Sequence, residues 1–237
     1  MNAEVDVELR EQIRKLCARY PSEYWQKCDR ARVYPEKFVQ ELTDAGYLAC
    51  LIPEQYGGAG LGIREAAVIL EEIHRSGGNA AACHAQMYTM GTLLRHGSPE
   101  QKERWLTGIA SGALRLQAFA VTEPDAGSDT ASISTFAERK GDRYIVNGKK
   151  IFISRMQHSD LMVLLARTTP RADVEKRTQG LSVFVVDLRD AGDSVHVQPV
   201  DTMINHETNA VFFDDLEVPA ENRIGEEGNG FSYILGG

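Results

Sequence analysis

The chain changes its hydrophobic period once, near Leu114, and that single change limits the folds open to it. Before it, apolar residues recur three and four apart; after it, they gather in short runs or alternate with polar residues. Helices collected at one end and strands at the other imply an α+β multidomain chain and exclude the regular alternation of a parallel βαβ sheet. The expected limits are an all-α N-terminal domain over 1–113, a β domain over 114–224, and the start of a further helix over 225–237.

Within the helical half, Leu9, Ile13, Leu16, Cys17 and Tyr20 form one stripe that Pro21 ends. Pro35 at a first helical position, the stripe Phe38, Val39 and Leu42, and Gly46 as a cap predict a helix over 35–45. Ile63, Ala66, Ala67 and Leu70 predict a third, closed by Gly77-Gly78. Residues 80–96 are apolar almost all round and predict a buried helix, in which Met87 and Met90 are flexible gap-fillers or pocket-lining groups. His84 and His96 read as structural histidines. Ser98-Pro99-Glu100-Gln101 opens the last helix with a capping serine and a glutamine that can reach back to it. The glycine-rich run from Tyr56 to Gly62 lacks both a following Lys-Ser or Lys-Thr and Gly-x-Gly-x-x-Gly spacing, so it reads as a flexible connection.

In the β half, Phe119, Ala120 and Val121 form a strand that should end at Thr122, because Pro124, Asp125, Gly127 and Ser128 cannot continue it. A chain leaving a sheet in this way offers backbone N–H groups and the hydroxyls of Thr122 and Ser128 to the crevice beside it, which suits a polar ring system or a phosphate. Strands are expected over 161–166, 181–186 and 210–213 and at Val195 and Val197. Turns are expected at Gly141-Asp142 and Asn147-Gly148, and an exposed loop over 168–179.

A formal charge of -8 argues against a nucleic-acid partner, which needs a basic face, but leaves room for a single nucleotide cofactor. The acidic start Met1-Asn2-Ala3-Glu4-Val5-Asp6 is unlike a secretory or transit peptide, and no stretch reaches the length of a membrane span. Cys17, Cys28, Cys50 and Cys83 are widely spaced, so reduced structural cysteines are expected and no metal site is.

The eight residues Thr122-Glu123-Pro124-Asp125-Ala126-Gly127-Ser128-Asp129 resemble the signature segment of the flavin-dependent acyl-CoA dehydrogenases. Further segments agree in order: Gly97 to Leu106, the run Tyr144-Ile145-Val146-Asn147-Gly148-Lys149-Lys150-Ile151-Phe152-Ile153-Ser154, then Val211-Phe212-Phe213-Asp214-Asp215 and Gly225-Glu226-Glu227-Gly228. The resemblance implies an all-α domain followed by a β-barrel-like middle domain. It implies FAD as cofactor, bordered by Phe119, Val121, Thr122, Phe152, Ile153 and Ser154, with Ser128 on the CoA portion of the substrate and Met87 and Met90 on its acyl chain. Two departures stand out: Phe152 where many relatives carry tryptophan, and Ser154-Arg155-Met156 in place of Thr-Asn-Gly. Arg155 is then either a solvated surface charge or a phosphate contact.

The activity implied is α,β-dehydrogenation of an acyl-CoA to the trans-2-enoyl-CoA, a step of fatty acid metabolism, with electrons passed to an electron-transfer flavoprotein. The expected enzyme is a cytoplasmic homodimer or homotetramer. The family's catalytic glutamate lies in a C-terminal helical domain, expected beyond Gly237, so the 237-residue chain alone should be inactive. Glu123 is a tempting substitute base, although a turn-forming carboxylate bonded to nearby N–H groups is the simpler reading. The rivals are a flavin oxidase or monooxygenase on the same scaffold, and a non-catalytic FAD- or acyl-CoA-binding module.

Overall fold

The computed structural model describes residues 3–236, with side chains from Val7 onward. The chain divides into two compact units: residues through Met87 with Glu103–Leu114, and Tyr88–Lys102 with the residues from Arg115 onward. The first is helical. It holds α1 (Ala3–Cys17), α2 (Ser22–Ala31), α3 (Glu36–Asp44), α4 (Ile63–Arg75), the first part of α5 (Ala81–His96) and most of α6 (Pro99–Ala110). Its core gathers Ile13, Leu16, Phe38 and Leu42, which the helical spacing marks as inward, with Ile69, Ile73, Cys83 and Met87. The stripe expected on the third helix, α4, is corrected: Ile63 and Ala67 are exposed, and Ile69 and Ile73 face the core instead. α1 is locked to α4 by Glu72, a buried carboxylate that accepts from Arg10 at 2.5 Å and Arg14 at 2.7 Å.

Two further features of this unit differ from expectation. α2 carries no fully buried residue, so it has no apolar stripe to read; Tyr24 and Trp25 meet Tyr20 and Phe38 edge-on with centroids 4.8–5.2 Å apart. The glycine-rich segment is a tied turn and not a loose connection. Gly60 N–H donates to Ile52 O at 2.8 Å, Leu61 N–H to Cys50 O at 2.8 Å, and a Cβ on Gly58 would overlap the Ile52 carbonyl.

The second unit is a mixed eight-stranded sheet. Its strands are β1 (Leu116–Ala120), β2 (Phe136–Lys140), β3 (Arg143–Ser154), β4 (Leu161–Arg167), β5 (Leu181–Asp187), β6 (Val195–Pro199), β7 (Thr208–Pro219) and β8 (Arg223–Ile224). The hydrogen-bonded order is β6-β7-β3-β2-β4-β5-β8, with β1 parallel to β4, so among the described residues the path stays open at β6 and β8. β4 and β5 are buried on both faces and apolar except for Ser182 and the terminal Arg167 and Asp187. Tyr144, Val146, Ile153, Phe184, Val211 and Leu216 fill the core between the strands.

β1 ends at Ala120, two residues before the expected end. Asn147-Gly148 is not a turn but lies inside β3, at a register shift against β7. Gly148 is needed there for close approach: its φ is +149° and a Cβ would sit 2.6 Å from Thr135 Oγ1. Gln101 and Ser98 form the expected reciprocal cap at 3.0 and 3.2 Å, and Gln101 Nε2 also reaches Glu221 O and Arg223 O at 2.7 and 2.8 Å. That ties the start of α6 to β8. α7 (Gly230–Gly236) forms where a helix start is expected. His84 is exposed, and the His96 ring packs at 4.7 Å on Tyr233 with its Nε2 lacking a hydrogen-bond partner among the described residues. Among the described residues no helix is long and apolar enough to cross a membrane, and none of the four cysteines forms a disulfide.

Candidate functional site

The signature loop and the end of β3 meet along their backbones. Leaving β1, the chain passes Val121 and Thr122, whose carbonyls face β3: Thr122 O accepts Ile151 N–H at 2.9 Å, and Val121 O accepts Lys150 Nζ at 3.0 Å. Lys150 is wholly buried and also donates to Glu123 Oε1 at 2.9 Å. Glu123 accepts in addition from Ser134 N–H at 2.7 Å, Ser134 Oγ at 2.8 Å and Thr135 N–H at 2.9 Å. Its backbone exchanges both bonds with Ala126, at 3.0 and 3.1 Å, which closes the turn. Burial pushes the Glu123 carboxyl up, but Lys150 and the Ser134 and Thr135 donors outweigh it and hold the group well below the usual carboxylate range. Burial pushes Lys150 down, against the pull of Glu123. Farther along, the buried Arg167 guanidinium donates to Ala131 O at 2.9 Å and Gln179 O at 3.2 Å. The loop that leaves β1 is therefore pinned from inside by two buried cations and one carboxylate.

The end of β3 carries the second half of the site. A register shift between Lys150 and Ile153 turns Phe152 outward with φ +61°, so its ring is 60% exposed at a backbone conformation rare for a bulky residue. Ile153 is buried and Ser154 half-buried. Arg155 is neither a solvated charge nor a loose loop residue: it is buried at φ +60°, its N–H donates to Glu207 O at 2.8 Å, and its guanidinium donates to Asn205 Oδ1 at 3.0 Å. Asn205 Nδ2 in turn donates to Ser154 Oγ at 3.0 Å.

Of the residues singled out from the sequence, Val121 and Thr122 on one segment and Phe152, Ile153 and Ser154 on the other are thus joined around the Thr122–Ile151 contact. Phe119 is half-buried on β1 and meets the Tyr88 ring edge-on at 5.6 Å. Ser128 lies on the exposed part of the loop, beside Asp129, which pairs with Ser132 and Arg177. Met87 belongs to the helical core and Met90 is fully buried. Lys150 lies within the Tyr144–Ser154 run that carries the resemblance, yet the resemblance gives it no role, and Asn205 lies in no such run. A lysine on the inward phase of β3, two residues from Gly148, is a readable signal; Asn205 offers none.

Two family models match this chain: "Acyl-CoA dehydrogenase, N-terminal domain" over residues 4–113 and "Acyl-CoA dehydrogenase, middle domain" over residues 118–216. The chain belongs to the acyl-CoA dehydrogenase family. Cyclohex-1-ene-1-carbonyl-CoA dehydrogenase of Syntrophus aciditrophicus is 36% identical over 230 residues, covering 96% of this chain and 55% of that protein. The caffeyl-CoA reductase-Etf complex subunit CarC of Acetobacterium woodii is 34% identical over 236 residues, 96% of this chain and 61% of its own length. The crystal structure of an acyl-CoA dehydrogenase from Geobacillus kaustophilus superposes with a TM-score of 0.90 at 32% identity, over 99% of this chain and 61% of that one. The chain therefore spans little more than half the length of the relatives it matches. The family members are flavoproteins, and a flavin fits the residues present here. The exposed Phe152 follows Ile151, which is bonded to Thr122 O, and neither the Thr122 nor the Ser154 hydroxyl donates a hydrogen bond to the described residues.

Proposed function

We propose that this acyl-CoA dehydrogenase family member takes part in the FAD-dependent α,β-dehydrogenation of an acyl-CoA thioester to the trans-2-enoyl-CoA. The observation that carries the reading is the backbone junction Thr122–Ile151, which joins the signature segment to the strand end that carries the outward Phe152. FAD, when bound, supplies the acceptor for the β-hydride. Thr122 donates to the pyrimidine side of the ring system, Phe152 covers a face of it, and Phe119, Val121, Ile153 and Ser154 border it. Ser128 meets the CoA portion and Met87 and Met90 the acyl chain. Glu123 is not the proton-abstracting base: it is buried, ion-paired, and already accepts four hydrogen bonds. The α-proton falls to a carboxylate outside the described residues.

In this reading the domain limits are 1–113, 114–224 and 225–237, the acceptor is an electron-transfer flavoprotein, and the whole enzyme is a cytoplasmic homo-oligomer. The relative from an Etf complex supports the acceptor. Titrating the intact enzyme with FAD, then adding acyl-CoA thioesters of graded chain length without oxygen, tests the proposal. Stoichiometric binding and substrate-dependent loss of oxidised-flavin absorbance are expected. An intact enzyme that holds FAD but is not reduced by any acyl-CoA would overturn it, and rapid peroxide formation in air would favour the oxidase rival.

A further inference from the structure

We propose that Asn205 is a positioning residue for Ser154, holding that hydroxyl as a hydrogen-bond donor, and that Arg155 fixes the Asn205 amide in the orientation this requires. The inference rests on the reading of Ser154 as a flavin-bordering residue. An asparagine side chain can present either its oxygen or its nitrogen to a neighbour. Here the choice is forced, because the Arg155 guanidinium that meets Oδ1 at 3.0 Å can only donate. The nitrogen must then face Ser154 Oγ at 3.0 Å and Thr208 Oγ1 at 2.8 Å, and Thr208 Oγ1 donates onward to Asn205 O at 2.8 Å. A serine hydroxyl has one proton and two acceptor positions. With one acceptor position filled by an N–H, and no donated bond among the described residues, the Ser154 proton is kept for whatever binds beside it.

The backbone is built to hold this arrangement. Phe152, Arg155 and Asn205, at φ +61°, +60° and +59°, are three of the five non-glycine residues with left-handed backbone among those described. Such conformations persist where the surroundings over-determine them. Here Arg155 N–H is tied to Glu207 O at 2.8 Å, and Ser154 pairs with Thr208 in the β3–β7 ladder. The ligand chemistry that fits is a ring atom with a free lone pair, such as a ring nitrogen or carbonyl oxygen of an oxidised flavin.

The test is a double-mutant cycle read by FAD titration, by the visible absorption band of bound FAD, and by the melting temperature of the FAD-free protein. Ser154→Ala removes the donor and should weaken FAD about three- to tenfold. Asn205→Asp keeps the shape, tolerates the left-handed backbone and strengthens the contact with Arg155, so the melting temperature should hold. Its carboxylate accepts a hydrogen bond from Ser154 Oγ, which turns that donor away from the flavin, so FAD should weaken to the same extent and the absorption band should move in the same way. The double variant should be no weaker than either single one, and Ser154→Thr should bind as the parent does. If Asn205→Asp binds FAD as tightly as the parent while Ser154→Ala does not, or if the two losses add, the positioning role is wrong. If FAD binds the parent and Ser154→Ala changes nothing, the flavin reading survives and this inference falls. If FAD binds none of the proteins, both fall.

Discussion

A buried lysine beside a signature turn is the residue on which the site's geometry depends. Lys150 bridges Val121 O and Glu123, so one ammonium fixes both the strand exit and the turn that follows. Removing one partner of a buried pair leaves the other charge uncompensated, so Glu123→Gln should destabilise the protein by about 3–5 kcal/mol in urea unfolding. Because the folded Glu123 carboxyl lies below its ordinary value of 4.5, its stabilisation is present above that pH and is lost as the pH falls toward the folded value. The gap between parent and Glu123→Gln should therefore shrink on acidification. Thr122 makes a different prediction. Thr122→Val keeps the β-branched shape and removes only the hydroxyl, at a cost of about 0.5–1.5 kcal/mol in flavin binding and more against the charged, reduced ring. The midpoint potential of bound flavin should fall while the melting temperature stays put; an unchanged potential would leave Thr122 a turn residue. The turn-forming role of Glu123 was readable from its neighbours, whereas the burial of Arg155 was not, since its partner Asn205 lies 50 residues away.

Among the elements, β3 carries the most consequence. Its bulges at Gly148 and around Phe152 decide which side chains turn inward, and the Asn-Gly pair that resembles a hairpin turn serves close packing on Thr135 instead. Gly148→Ala would force a Cβ against Thr135 at a positive φ, so a loss of about 1–3 kcal/mol is expected in chemical denaturation. α6 gives a second case. Gln101→Ala removes the cap acceptor and leaves the Glu221 and Arg223 carbonyls without this donor, which should cost about 1–3 kcal/mol. α5 was legible as a buried helix from its composition, but periodicity alone does not tell acyl-pocket lining from core filling. Comparing chain-length profiles of Met87→Ala and Met90→Ala decides this, and an unchanged ratio of short- to long-chain rates would assign both residues to the core.

Across the whole molecule, each compact unit is clamped by a buried carboxylate with cationic partners. Glu72 answers to Arg14 and Arg10 in the helical unit, and Glu123 to Lys150 in the β unit. The Arg14 hydrogen bond foremost, with Arg10 beside it, holds Glu72 down at about 2 against the opposing effect of burial. The contribution of Glu72 is thus present above about pH 4.5 and lost on the way down to about 2. Glu72→Gln should lower the melting temperature at neutral pH, with the difference narrowing in acid. Trp25 and Trp105 both lie in the helical unit, so tryptophan fluorescence reports that unit's transition.

The sequence by itself determined the separation of helices from strands, the helix that begins just after Pro35, the cap at Ser98, and membership of the family. These rest on local periodicity and contiguous motifs, whose physics acts over a few residues. Only the tertiary structure decided that Lys150 closes on Glu123 across 27 residues and that Asn205 reaches Ser154 across 51. A buried charge or amide is stable only where its partner is already in place: the register of β3 against β7 brings Asn205 to Ser154, and the Thr122–Ile151 contact brings Glu123 to Lys150.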